Sequence, residues 1–228
     1  MNRIDHCANL IHFTKGFNKS LDYEEAYLNL KEIVNCGFLK ATNGMIFGGH
    51  KCVCFTESPA GCLTNGGKLD KKYFSRYTPF GLQYCKKDVF KNGGRPVIYS
   101  TKAEAIKQRD NLDLNWRFVS YDPNQDGKMD FTWEREWRIS KIKMPVKPDI
   151  TKLIFPNLTY INRFIEEHEK EHHGLEPDDE CEECFCTREA TIINFKDFLD
   201  NEKCENLLGT CPDPDKFPWI LINMNETE

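Results

Sequence analysis

Nowhere in the 228 residues do about 18 apolar residues run together, so the chain offers no stretch suited to a membrane-spanning helix. The opening residues, MNRIDHCANLIHFT, lack the apolar centre of a secretory signal peptide, which makes the cytoplasm the expected location. The marks of a small disulfide-framed secreted domain are missing too. The 11 cysteines are odd in number and the chain is not short, so mostly reduced thiols are expected. Cys52 and Cys54, two apart in KCVCF, share one face of a strand, where small thiols pack as hydrophobes. With 39% hydrophobic and 12% aromatic residues, the composition excludes extensive disorder and supports one large globular domain.

Charge is present but unevenly spread. The net value of -5 combines a basic front, with 24 Lys+Arg against 17 Asp+Glu over residues 1–150, and an acidic back, with 7 against 19. A basic front attracts the phosphates of a nucleotide such as NAD or of nucleic acid, while an acidic tail suits a basic partner protein. An ordinary solvated surface carries a similar balance, so charge alone does not choose between them.

Residues 8–14, ANLIHFT, alternate as a strand that places His12 among apolar neighbours, either as a hydrogen-bonded core residue or as a ligand-binding or catalytic group. Asp22 and Glu25 form a capping-box pattern ahead of a helix with Ala26, Tyr27, Leu30, Ile33 and Val34 at helical spacing, and Gly37 ends it. Further along, residues 51–57 read as a strand stopped by Ser58-Pro59. Residues 80–84 and 95–100 read as extended, 86–91 as helical, and a polar helix opens at Thr101 or Lys102 and runs to about Arg109. Toward the end, 153–155 form an apolar piece, 159–173 a helix, 190–195 a strand, 196–207 a helix and 219–222 an edge strand.

Two motifs suggest metals. Asp122, Asn124, Asp126, Gly127 and Asp130 occupy positions 1, 3, 5, 6 and 9 of a calcium loop, but position 12 is Trp133 and the flanks are strand-like. A turn joining two mutually paired strands, 116–121 and 132–142, is the better reading. In the acidic tail, Cys181, Cys184 and Cys186 with the upstream His168 and His172 supply zinc-type donors, or else belong to a solvated loop.

The second of those strands, TWEREWRISKI at 132–142, is the most suggestive stretch. As an extended strand it puts Glu134, Glu136 and Arg138 on one side and Trp133, Arg135, Trp137 and Ile139 on the other. Two neighbouring carboxylates on a half-buried strand are costly unless hydrogen-bonded, protonated or functional. A solvated edge strand striped with ion pairs, or neutralisation by Arg138, accounts for the same pattern.

Taken in order, LIHFTKG, NCGFLKA, VCFTESP, FGLQYCKKDVFKNGGRPVIY and WEREWRI resemble the AbiGi abortive-infection proteins and a related bacterial family, over residues 10–142. Those families look like remote relatives of ADP-ribosyltransferase folds such as DarT-type toxins. The resemblance implies an α+β fold with a split, mixed β-sheet core and flanking helices over residues 1–150. The acidic, cysteine-containing extension, 151–228, would pack on the same domain. It also implies NAD held in the cleft between the sheet halves, cleaved, and its ADP-ribose transferred to nucleic acid or protein. By the same resemblance Glu136, with Glu134 second, stabilises the oxocarbenium-like transition state, and His12 bonds the nucleotide or its ribose beside Thr14. Tyr84 or Tyr99 stacks on nicotinamide, and Arg76, Arg95 or Arg138 meets the pyrophosphate. Where DarT-like enzymes carry an arginine after the second strand, FTESPAGC offers Glu57 instead. A non-catalytic antitoxin-like or sensor module on the same fold is the competing expectation. A metal-dependent hydrolase is a third, although the acids have no two-metal spacing.

Overall fold

The computed structural model describes residues 7–44, 46–58, 64–65, 68–69, 77–108, 112–124, 130–172 and 219–221. Its strands are β1 (Asn9–Phe13), β2 (Phe38–Lys40), β3 (Val53–Phe55), β4 (Thr64–Asn65), β5 (Lys68–Leu69), β6 (Gly81–Cys85), β7 (Arg95–Pro96), β8 (Ile98–Ser100), β9 (Phe118–Ser120), β10 (Trp137–Ile139), β11 (Lys143–Pro145), β12 (Thr151–Phe155) and β13 (Trp219–Leu221). Among the described residues four α-helices accompany them: α1 (Tyr23–Cys36), α2 (Lys86–Lys91), α3 (Lys102–Lys107) and α4 (Leu158–His172). The class is α+β, with several small sheets rather than one large one.

The largest sheet runs in the order β1-β6-β12-β13, antiparallel except for the last pair. Residues 219–221 thus take the edge position that their apolar run suggests. A second sheet, β3-β10-β7, is antiparallel throughout. The two meet at β1, where Ile11 and Thr56 exchange backbone hydrogen bonds of 2.9 and 2.7 Å just beyond the end of β3. Smaller pairs, β2 with β11, β4 with β5 and β8 with β9, complete the strands.

Alternation explains the core beneath the larger sheet. Leu10 lies opposite Tyr84 across β1 and β6, and Leu82 lies opposite Leu153 across β6 and β12. Directly opposed residues of an antiparallel pair share a face, and this face is closed by Ala26, Tyr27 and Leu30 of α1 and by Ile161 and Phe164 of α4. The helical spacing read from α1 is therefore its buried stripe. Asp22 accepts the Glu25 N–H at 3.0 Å at its start, and Gly37 at φ 69° closes it, a left-handed turn that suits glycine. On the outer side, Arg163 of α4 bonds Glu24 and Glu167 at 2.7 Å, and Lys31 of α1 reaches Glu167 at 2.8 Å. Of the residues beyond 150, those described as β12, α4 and β13 belong to this sheet and helix layer.

The structure corrects three expectations in the charged half of the molecule. Residues 132–142 are not one strand: Thr132–Glu134 is a 3-10 turn, Arg135 sits at φ 45°, and only Trp137–Ile139 is extended. The turn is favoured because Asp130 accepts both the N–H and the hydroxyl of Thr132, at 2.8 and 2.6 Å, committing that backbone to a turn before a ladder can form. Second, residues 112–117 are also 3-10, so the preceding strand begins only at Phe118. Third, β9 does not pair with β10. It runs parallel to β8, while β10 lies between β3 and β7. The strand and helix expected at 190–207 fall outside the described residues.

Candidate functional site

A cavity of about 710 Å³ opens beside the junction of β1 with the end of β3, within the range of small-molecule sites. Its described lining includes His12 from β1, Cys54 from β3, Tyr121, and both Glu134 and Glu136 from the segment that enters β10. Glu134 and Glu136 reach the same cavity as an alternating strand predicts, but by a turn.

That turn is braced from several directions. Thr56 Oγ1 donates to the Glu134 carbonyl at 2.7 Å, the Glu57 N–H donates to the same oxygen at 3.1 Å, and Ser58 Oγ donates to the Trp133 carbonyl. On the opposite side, the Tyr99 hydroxyl donates to the Phe131 carbonyl and accepts the Glu136 N–H, both at 3.1 Å. Side chains from two separate segments, Thr56 and Ser58 on one and Tyr99 on the other, hold a backbone whose dihedral at Arg135 is unusual for a residue with a Cβ.

His12 is half-buried, with Nδ1 2.7 Å from the Cys54 carbonyl oxygen. A carbonyl can only accept, so Nδ1 carries the hydrogen, and in the neutral ring Nε2 is an acceptor. Burial lowers the imidazole below its ordinary value against the opposing pull of that hydrogen bond, so the neutral form prevails at neutral pH. The ring sits edge-on to Phe55, its centroid 6.1 Å away.

The two carboxylates have different surroundings. Glu136 is gripped by Arg138, with Nε to Oε1 at 2.7 Å and Nη2 to Oε2 at 3.0 Å, a two-point pair within a buried setting. Burial alone would lower the Arg138 guanidinium, but the hydrogen bonds and charge of Glu136 hold it above its usual value. Arg138 Nη1 donates to the Trp116 and Phe118 carbonyls at 2.9 and 3.1 Å, which fastens β10 to the segment entering β9. Glu134, 8% exposed, accepts the Tyr77 hydroxyl at 2.9 Å. Burial, and then the Glu134 charge and this bond, push Tyr77 well above its ordinary value, so it stays a donor. Cys54 is likewise held protonated by burial and by Glu136.

Other residues expected in the site lie elsewhere. Tyr84 is 1% exposed, faces the core against Phe55, and donates to the Pro145 carbonyl at 3.0 Å. Tyr99 is the brace described above and does not line the cavity. Thr14 is buried with its hydroxyl on the Phe80 carbonyl at 3.2 Å, tying β1 to the residues before β6. Arg95 turns outward to the Phe90 and Gly94 carbonyls and lies over the Phe90 ring at 3.9 Å. Stacking by Tyr84 or Tyr99 and phosphate binding by Arg95 in the cavity are therefore set aside. Glu57, which stands where an arginine was expected, bonds Lys86 and Trp137 Nε1, each at 2.6 Å.

The metal readings gain no described site. Cys181, Cys184 and Cys186 and the position of Arg76 lie outside the described residues, as does the side chain of His172. His168 is buried and stacks on Phe164 at 5.1 Å. Asp122 accepts the Asn124 N–H at 3.0 Å in a local turn, and the described residues contain no group of three His, Cys, Asp or Glu placed to hold a metal. Cys36, Cys52 and Cys54 are free thiols, whereas Cys85 is disulfide-bonded.

Tyr77, Tyr121 and Lys15 enter the lining without having been singled out from sequence. No local pattern marks them, because the tertiary return of the chain past β1 brings them there. The donor set fits the ribose and nicotinamide end of NAD: an acceptor on His12, two carboxylates and aromatic walls. It fits the pyrophosphate poorly, since Arg138 is committed to Glu136 and Lys15 is the other described lining cation. Comparisons with known proteins find no matching family model, no matching curated protein and no matching solved structure.

Proposed function

We propose that the protein is an ADP-ribosyltransferase-like enzyme of the bacterial or phage conflict type, which cleaves NAD in this cavity and passes ADP-ribose to water, nucleic acid or protein. The observation that supports this reading is the meeting of His12, Glu134 and Glu136 on one cavity. In such a reaction the bond between C1′ and the nicotinamide nitrogen breaks, and its electron pair leaves on that nitrogen. The acceptor oxygen or nitrogen bonds to C1′ and releases its proton to solvent. Positive charge gathers on the ribose meanwhile, and a fixed carboxylate beside it lowers the barrier.

Glu134 is the better candidate for that carboxylate, reversing the order suggested by the strand pattern. Arg138 already neutralises Glu136, whereas the Glu134 side chain accepts the neutral Tyr77 hydroxyl. Glu136 then positions Arg138 and the backbone of β10. His12 Nε2 accepts a ribose hydroxyl. The test is nicotinamide release on incubation with NAD, with labelled ADP-ribose followed into nucleic acid and protein. Glu134→Gln should lower the rate by about 10²–10³-fold with the fold intact. No nicotinamide from the unmodified protein, or an unchanged rate in the variant, would sink the reading.

The Arg138 pair favours one alternative, a non-catalytic antitoxin-like or sensor module that keeps the fold. On that reading the acidic C-terminal segment binds a basic partner. Replacing Glu180, Glu182 and Glu183 with glutamine weakens the binding, and Glu134→Gln leaves it unchanged.

A further inference from the structure

Two arginines meet at β7, the edge strand of the three-stranded sheet. Arg95 turns away from the cavity: its Nη1 donates to the Phe90 and Gly94 carbonyls at 3.0 and 2.7 Å, and its guanidinium lies 3.9 Å from the centroid of the half-exposed Phe90 ring. Arg117 arrives from the turn before β9, and its Nε donates at 2.9 Å to the carbonyl of Pro96, the residue next to Arg95. Both heads therefore stand on one short stretch of backbone. Among the described residues no carboxylate is bonded to either guanidinium, and Asp88 is held by Lys91 at 3.4 Å. Burial, and then the charge of Arg95, lower the Arg117 guanidinium from its ordinary value, as like charges brought close must.

A charged side chain on an edge strand deters pairing with other chains, and one solvated charge is enough for that. Here two like charges are fixed close together, which costs free energy, and backbone carbonyls restrain both heads. The base beneath them is fixed as well. Arg95 lies opposite Arg138 in register, and Arg138 bonds the Trp116 and Phe118 carbonyls on either side of Arg117. A guanidinium carries five N–H donors, so Arg95 Nε and Nη2 and both Nη groups of Arg117 are left for a ligand. We propose that Arg95 and Arg117 form a phosphate site on this edge, separate from the cavity, which takes the dianionic head of a phosphate monoester. Two fixed guanidiniums match a dianion in charge and its oxygens in fork geometry, whereas a phosphodiester offers a single charge. Neither arginine lines the cavity, so the site does not depend on the NAD reading.

The test is an NMR titration of the isotope-labelled full chain at about pH 7.5, where a monoester is mostly doubly charged. The probes are methyl phosphate, dimethyl phosphate, adenosine 5′-monophosphate, and a thymidine oligonucleotide with and without a 5′-phosphate. The Arg117 Nε–H, bonded to Pro96, is the reporter. Methyl phosphate should shift it and bind about fivefold or more tightly than dimethyl phosphate, and added salt should narrow the gap. Arg117→Gln, read at the Arg95 and Phe118 amides, should weaken methyl phosphate binding by about fivefold or more. The ranking of the two methyl esters on the unmodified protein stands even if that variant fails to fold. Equal binding of monoester and diester overturns the proposal, as does an unchanged affinity in Arg117→Gln or no shift at all. The remaining probes name the source of the phosphate. Adenosine monophosphate binding more tightly than the phosphorylated strand assigns a free nucleotide-type ester, and the reverse assigns a strand end. An unphosphorylated strand that binds as tightly as the phosphorylated one means a track for the phosphodiester backbone and removes the monoester site.

Discussion

The four-stranded sheet and the three-stranded sheet are stabilised in different ways. Beneath the larger sheet, Leu10, Leu82, Leu153, Phe80, Phe155 and Phe164 are fully buried against α1 and α4, and Phe80 meets the Tyr160 ring edge-on at 4.9 Å. Nondirectional burial does the holding, and many apolar shapes would serve. In the smaller sheet, β10 puts Trp137 and Ile139 into that same core, but its other face carries Arg138 opposite Cys54, with Glu136 close by. There the backbone is positioned by directional bonds from Arg138, Tyr99, Thr56 and Ser58. A burial-held half tolerates small shifts. A bond-held half fixes atoms, which is what a ligand-binding cavity requires.

The sharpest way to break this comparison is to remove one anchor from each half. Phe155→Ala should cost about 3–5 kcal/mol in urea unfolding, as large-to-small changes of buried aromatics do. Arg138→Met should cost a similar amount, about 3–5 kcal/mol, because Glu136 is left charged without its partner. The two losses differ in whether they can be rescued. Adding Glu136→Leu to Arg138→Met should recover a substantial part of the stability, since replacing both members of a buried pair removes the uncompensated charge. The Trp116 and Phe118 carbonyls would still lack their donor, so recovery should be incomplete. If the double variant is no more stable than Arg138→Met, the pair is not what holds β10.

A middle-sized effect lies on the outer surface of the burial-held half. Burial alone would raise Glu167, but hydrogen bonds from Lys31, Arg163 and Tyr27 pull it down to about 2. A carboxylate lowered on folding adds stability above its unfolded value and loses it as pH falls. The Glu167 contribution is therefore present above about pH 4.5 and disappears as pH drops toward about 2. Nearly a third of the side chain remains open to solvent, so the contribution is about 1–2 kcal/mol after allowance for screening. Glu167→Gln should lie below the parent protein by that amount at pH 7 and converge with it near pH 2, as read by chemical unfolding. A constant gap across this range would move the stabilisation elsewhere.

The same division governs what could be read from sequence. In the burial-held half, the spacing of Ala26, Tyr27 and Leu30 between Asp22 and Gly37 predicts α1, and the apolar run at 219–221 predicts an edge strand, because hydrophobic period and caps are local signals. In the bond-held half, alternation places Glu134 and Glu136 together but misreads how they arrive. Nothing in WEREW marks Arg135 for φ 45°, and the available clue was Asp130 two residues before Thr132. Tyr77 was not legible because its link to Glu134 spans 57 residues of chain. Tyr84 and Tyr99 lie in the motif FGLQYCKKDVFKNGGRPVIY, yet register turns Tyr84 into the core and hydrogen bonding turns Tyr99 to the backbone.

The smallest effect compares one helix cap from each half. Asp22 caps α1 with its carboxylate on the Glu25 N–H, while Thr101 caps α3 in a reciprocal box with Glu104. Each change to alanine should cost about 1 kcal/mol of local helix stability. Where that loss is read should differ. α1 buries Ala26, Tyr27, Leu30 and Val34, so its cap is coupled to the global unfolding of the core. α3 buries Ala105 alone, so its opening need not wait for the core to unfold. Asp22→Ala should therefore lower the urea midpoint, whereas Thr101→Ala should leave the midpoint nearly unchanged and speed amide exchange at Ala105 and Gln108, whose N–H groups bond back to Thr101 and Glu104. Equal shifts in the midpoint for the two variants would mean that α3 unfolds with the core and that the two halves form one cooperative unit.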